Sequence, residues 1–113
     1  MIYHMCKAEE WETASLSGSY GGSSQDVADS FIHFSTSEQI VESAHKHRAE
    51  QNGLVLLSVD DKALGEALKW ESSRGGALFP HLYGNLPVSA VREVDPLPLG
   101  ADGVHVFPAR FKG

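Results

Sequence analysis

The chain has 113 residues, of which 42% are hydrophobic and 21% charged, with a formal charge of −6 and one cysteine. That length and composition suit one globular domain with its own core, and they exclude a disulfide framework, a multi-cysteine metal centre and a disordered chain. The negative balance gives no long-range attraction to nucleic acid or an anionic membrane, and no apolar run approaches a membrane span or a secretory leader. The expectation is a cytoplasmic protein whose partner is a small molecule or nucleotide.

A first strand is predicted over residues 2–6, with Ile2, His4 and Cys6 on one face and Tyr3 and Met5 on the other. From Lys7 to about Ser17 the spacing is helical: Ala8, Trp11 and Leu16 are apolar, Glu9, Glu10 and Glu12 solvated, and Gly18 is the stop. Residues 18–30 are rich in Gly, Ser and Asp and read as a loop, either a surface connection or a lid over a nearby site.

Residues 31–37 organise the rest. A strand over 31–35 puts Phe31, His33 and Ser35 on one face, as for a site, and Ile32 and Phe34 on the other, as for a core. Ser35 with Glu38, and Thr36 with Gln39, stand at capping-box spacing. A helix should therefore open here and run to about Gln51, with Ile40, Val41 and Ala44 as its apolar stripe and Asn52-Gly53 as its end. The hydroxyls read either as caps alone or, beside His33 and a positive helix end, as ligands for an anionic or phosphorylated group. His45 and His47 stand two apart on that helix, share no face and read as solvated.

The apolar run 54–59 is a central strand buried on both faces, and 60–66 a turn or short helix. A short strand over 68–71 follows, with Leu68 and Trp70 facing one way and Lys69 and Glu71 the other. Glu71 stands just before the Gly-rich 72–76, which can carry Glu71 and Arg74 into a cleft or leave them as a surface pair. Residues 79–87 hold two prolines and a glycine among aromatic and apolar residues, which predicts an irregular, tightly packed segment. Its His81 and Tyr83 read either as ligand-facing groups or as half-buried residues with polar tips. A strand over 88–94, ended by Asp95-Pro96, and an edge strand over 104–107 complete the chain. The whole predicts a single α+β domain: a bent or split, mostly antiparallel sheet with two main helices packed on it.

Ile2-Tyr3-His4 with Trp11, 31–36 with Glu38-Gln39, 54–57, Lys69-Trp70-Glu71, and 79–84 with Leu86-Pro87 together resemble the small bacterial family DUF952 over about residues 2–94, leaving 95–113 as a tail. That family is grouped by similarity with the ADP-ribosyltransferases, whose split sheet grips NAD. The resemblance therefore implies an ADP-ribosyltransferase-like fold with NAD as a substrate. It implies that His4 holds a ribose or phosphate, that Ser35 and Thr36 support the nicotinamide ribose beside His33, and that Glu71 steadies the ribose hydroxyl as nicotinamide leaves. His81, with Tyr83, is the alternative for that third position. A carboxylate bonded to the ribose in a water-poor pocket would stabilise the oxocarbenium character of such a transition state.

Three functions compete. One is a transferase or hydrolase acting on NAD or an ADP-ribose-type nucleotide, with Glu71, His81 and His33 in the chemistry and His4, Ser35, Thr36, Tyr83 and Arg74 in binding. Another is a binding module that kept the pocket without the chemistry. The third is a metal site of His4, His33 and His81, with or without Glu71, for which no His-x-His or His-x3-His spacing speaks. Cys6 has nothing local to lower its pKa and reads as a small buried hydrophobe rather than a nucleophile.

Overall fold

In the computed structural model, which describes residues 1–72 and 76–111, the elements in chain order are β1 (Ile2–Lys7), α1 (Ala8–Ser17), β2 (Ser19–Tyr20), α2 (Ser24–Asp29), β3 (Ile32–His33), α3 (Ile40–His47), β4 (Leu54–Val59), β5 (Leu68–Ser72), β6 (Leu78–Leu82), β7 (Leu86–Pro87) and β8 (Val91–Leu97). One antiparallel sheet is ordered β1-β4-β8, a second β3-β6-β5, and β2 pairs with β7. Among the described residues the result is an α+β fold with three α-helices. Among the described residues no helix is long and apolar enough to cross a membrane.

The apolar run of β4 needs cover on both faces, and it sits at the centre of its sheet with Leu54, Leu56, Leu57, Ser58 and Val59 buried. The period-two alternation of β1 feeds two separate cores. Ile2 and Cys6 join Phe34, Leu57, Leu82 and Leu86 on one face, while Met5 joins Ile40, Ala44, Leu56 and Phe107 on the other. Each fully buried Leu or Ile is worth about 1.5–3 kcal/mol, so these clusters fix which way β1 turns its side chains.

The two sheets touch at one rung. Tyr3 and Ser35 exchange both main-chain hydrogen bonds, at 2.8 and 2.9 Å, which makes them a hydrogen-bonded antiparallel pair. The next such pair on the same edge falls two residues along, at Met5 and His33, and it does not form. β3 pairs on its other edge with β6, Ile32 against Leu82 and His33 against His81. The sheet thus splits just beyond Tyr3–Ser35.

Several expectations need correction. Residues 18–30 are no plain loop: they hold β2 and α2, because Ser23 and Asp26 stand at capping-box spacing and cap α2 reciprocally. Leu16, expected on the apolar face of α1, is 90% exposed, since it lies about 200° round the helix from the buried Ala14. The helix foreseen from Ser35 starts at Ile40 and ends at His47. Ser35 is committed to the rung with Tyr3, so 37–39 make a turn in which Gln39 Oε1 accepts the Thr36 N–H at 3.0 Å.

Residues 78–82 form a central strand where irregular backbone was expected. Pro80 fits because its carbonyl faces Phe34, whose N–H it accepts at 3.0 Å; its missing N–H lies on that same edge, so the Trp70–Pro80 pair loses no ladder bond to β5. Trp70 itself, in the middle of β5, is 46% exposed. β8 begins at Val91, after a 3-10 turn over Val88–Ala90, and runs through Pro96, which an edge strand tolerates. The strand foreseen over 104–107 reduces to a single bridge between Leu99 and His105.

Candidate functional site

Where the rung between Met5 and His33 is missing, side chains take the main-chain groups it would have used. His4 Nδ1 donates to the His33 carbonyl at 2.6 Å, the His33 N–H donates to Asp26 Oδ1 at 3.0 Å, and Arg48 Nη2 donates to the Met5 carbonyl at 3.1 Å. Main-chain polar groups buried without partners are costly, so three ionisable residues are what make the split stable.

Asp26 is the hub. Only 3% exposed, it accepts from the Ser23 N–H at 2.7 Å and Ser23 Oγ at 2.9 Å, and its other oxygen is hydrogen-bonded to His33 Nδ1. α2 ends on Ser30 in the left-handed conformation, at φ 68°, which turns 31–33 back alongside α2 and brings His33 to Asp26. Burial would push the Asp26 carboxyl up; the hydrogen bond from His33 and those from N–H groups outweigh it and hold the group well below the usual carboxylate range. His33 is raised in turn, first by its bond to Asp26, then by the charges of Asp26 and Asp29, whose Oδ2 lies 3.0 Å from His33 Nε2.

His4 is 3% exposed and behaves oppositely. Burial lowers its pKa and keeps the ring neutral. Its Nδ1 faces a carbonyl and so carries the proton, which leaves Nε2 to accept from the Tyr20 hydroxyl at 2.8 Å. With both nitrogens engaged, His4 holds the split open and is not free to ligate a metal. Among the described residues no group of three His, Cys, Asp or Glu side chains could hold a metal ion, which overturns the His4, His33, His81 metal reading. Burial pushes the Cys6 thiol up to about 12, so Cys6 is no nucleophile.

A second carboxylate–histidine pair stands on β5 and β6. Glu71 Oε1 accepts from His81 Nδ1 at 2.9 Å and from the Tyr83 hydroxyl at 2.7 Å, and these bonds hold Glu71 below its ordinary pKa. Glu71 and His81 are thus one unit rather than rivals for one position. The bond to Glu71 places the His81 proton on Nδ1 and leaves Nε2 able to accept one. Phe31 stacks on His81 with ring centroids 4.2 Å apart and lies 5.3 Å from Tyr83, while His33 and His81 are 5.6 Å apart edge to face. The two pairs therefore form a continuous face.

That face opens on a cleft of about 680 Å³, within the range of small-ligand sites. Its walls include His4, Asp26, Asp29, His33, Ser35 and His81, together with Glu42, Ser43, Lys46 and His47 of α3 and Arg48 at the cap of that helix. Ser35 lies in the cleft with its hydroxyl 2.9 Å from that of Ser43. Thr36 serves the turn before α3 through its main chain. Arg74 lies outside the described residues. His45 and His47 are exposed. Sequence reasoning missed Tyr20, Ser23, Asp26, Asp29 and Arg48; the Ser23-x-x-Asp26 spacing was the one available signal.

Residues 5–94 match the sequence profile of a family described as "Protein of unknown function (DUF952)". No curated protein matches the chain. A crystal structure of protein CC0527 from Caulobacter crescentus is 48% identical, with a TM-score of 0.92 over 97% of this chain and 96% of that one. A solution NMR structure of the same protein is 51% identical, with a TM-score of 0.81 over 91% and 89% of the two chains. The architecture described above is therefore shared with an experimentally determined fold.

Proposed function

The chain belongs to the DUF952 family, and on that premise we propose that its cleft binds NAD or an ADP-ribose-type nucleotide and that the adjoining histidine–carboxylate face transfers or hydrolyses at the nicotinamide ribose. The observation that carries this reading is the open rung: a first-strand histidine sits where the sheet splits, and a cleft of nucleotide size begins there. The resemblance to ADP-ribosyltransferases that the sequence motifs imply, with NAD gripped in a split sheet, points the same way.

In this account Ser35, with Ser43 behind it, hydrogen-bonds a ribose hydroxyl, and His4 keeps the split open. As the bond from ribose C1′ to the nicotinamide nitrogen breaks, nicotinamide leaves with the electron pair and C1′ gains positive character. Asp26 and Glu71, both held ionised, offset that charge. A water or an acceptor hydroxyl attacks C1′ and gives its proton to His81 Nε2, with Glu71 orienting the ring and stabilising the imidazolium.

The test is to follow nicotinamide release from NAD by chromatography while measuring thermal stabilisation by NAD and ADP-ribose. A ligand that binds only the native state raises its stability by about 2.7 kcal/mol at a hundred times its Kd. Stabilisation with release supports the whole reading; stabilisation without release leaves a binding module; neither at millimolar nucleotide refutes it.

A further inference from the structure

Two of the three described arginines are matched by carboxylates: Arg92 with Asp60 at 3.2 Å, and Arg110 with Asp95 and Glu93. Arg48 is not. Its guanidinium donates to the Met5 carbonyl at 3.1 Å and to Gln51 Oε1 at 3.1 Å, and among the described residues no carboxylate lies within 4.0 Å of it. The two acceptors fix the plane of a half-buried cation in the wall of the cleft without neutralising it. The negative end of α3 meets part of that charge, and the remainder faces the cleft. Lys46 lines the same wall, bonded at 2.9 Å to Glu42 one helical turn away, which lines it too and matches its charge, so Arg48 carries the unmatched one.

The neighbouring wall carries Asp26 and Asp29, with His33 between them, and Glu71 stands behind His81. Two carboxylates in that wall make it negative. The cleft thus has a cationic and an anionic wall, which meet at adjacent β1 residues, Met5 and His4, about 3.3 Å apart along the strand.

Resting on the nucleotide reading above, we infer that Arg48, with Lys46, forms the pyrophosphate subsite, so that the dinucleotide lies with its phosphates against the C-terminal half of α3 and its cationic nicotinamide ring at the Asp26–Asp29 wall. Guanidinium suits this role because its planar fork donates two hydrogen bonds to phosphate oxygens, and Arg48 keeps N–H groups beyond the two it uses. The polarity also selects ligand class: a pyridinium dinucleotide matches both walls, a free carboxylate only one.

The experiment titrates the native protein, Arg48→Gln and Lys46→Gln with inorganic pyrophosphate, ADP-ribose and nicotinamide riboside, the last having no phosphate. The expected result is at least a tenfold loss of pyrophosphate and ADP-ribose affinity in Arg48→Gln, a smaller loss in Lys46→Gln, and nicotinamide riboside affinity within about twofold of native. Lys46 is exposed, so its variant folds whatever Arg48→Gln does, and native pyrophosphate binding should weaken as salt rises. ADP-ribose affinity unchanged in both variants overturns the subsite and leaves the nucleotide reading standing. Native protein that binds neither ADP-ribose nor pyrophosphate overturns both.

Discussion

Met5 and His33 face each other across a rung that the register of Tyr3 and Ser35 sets out and the chain does not make; the His33 carbonyl goes to His4, its N–H to Asp26, and the Met5 carbonyl to Arg48. The split sheet and the candidate site are one feature. Substitutions at these three side chains should therefore be read through both stability and binding.

Replacing Asp26 by Asn leaves His33 without its buried carboxylate and weakens the caps of α2. Asp26 is buried but the His33 side chain is 39% exposed, so the lost charge-assisted hydrogen bonds should cost about 1.5–3 kcal/mol, and a urea midpoint at pH 7 should fall accordingly. Asp29→Asn, at a site about 39% exposed, should cost under about 1 kcal/mol. Equal losses from the two would show that Asp26 is not the hub.

Stability should peak near pH 6.5. His33 is raised, so the stability it contributes is complete below the ordinary imidazole value and is lost as pH rises through its folded value. His4 is lowered and held neutral, so stability falls as pH drops below 6.5, where the unfolded chain takes up the proton and the folded one does not. Asp26, depressed, adds a further loss as pH falls below about 4. Denaturant midpoints from pH 4.5 to 9 test this: His33→Gln should lower the whole curve and flatten its alkaline limb. An alkaline limb of native slope in that variant contradicts the assignment.

Gly22 has φ 97°, and a Cβ there would come within 2.7 Å of Asp26 Cβ and 3.2 Å of Ile32 Cγ1. Gly22→Ala forces both strain and a shift of Asp26, so a loss of about 1–3 kcal/mol is expected, together with a displaced His33 titration in NMR spectra. Unchanged stability would place the start of α2 differently.

Glu71 is partly exposed, and Glu71→Gln should leave the denaturation midpoint close to native. If Glu71 orients His81 for proton transfer, nicotinamide release should lose about a hundredfold or more in kcat with a much smaller change in KM. Loss confined to KM would make the pair a binding element instead.

β1, β4 and the two faces of 31–35 were legible in the sequence because each rests on local alternation that burial then enforces: Ile32 and Phe34 are 2% exposed, while Phe31 and His33 are half-buried. His33 and Ser35 line the cleft, on the face that this alternation gives them, whereas no face could be read for His81 and Tyr83 because 79–87 was expected to be irregular. Asp26 was lost because Gly and Ser composition spoke for a loop more loudly than one capping-box spacing spoke for α2. Arg48 and Met5 could not be paired from sequence, since their contact depends on where a ladder stops, 43 residues apart in the chain. β6 was misread because the edge toward which Pro80 turns its missing N–H is a property of register, not of composition.

The most direct test of a nucleotide cleft at the open rung is a titration of isotopically labelled protein with ADP-ribose, followed by NMR chemical shifts. Saturating changes are predicted at 4–5, 33–35, 43–48 and 81, with little at 102–105. No change at millimolar ADP-ribose, or changes gathered away from the split, would contradict it.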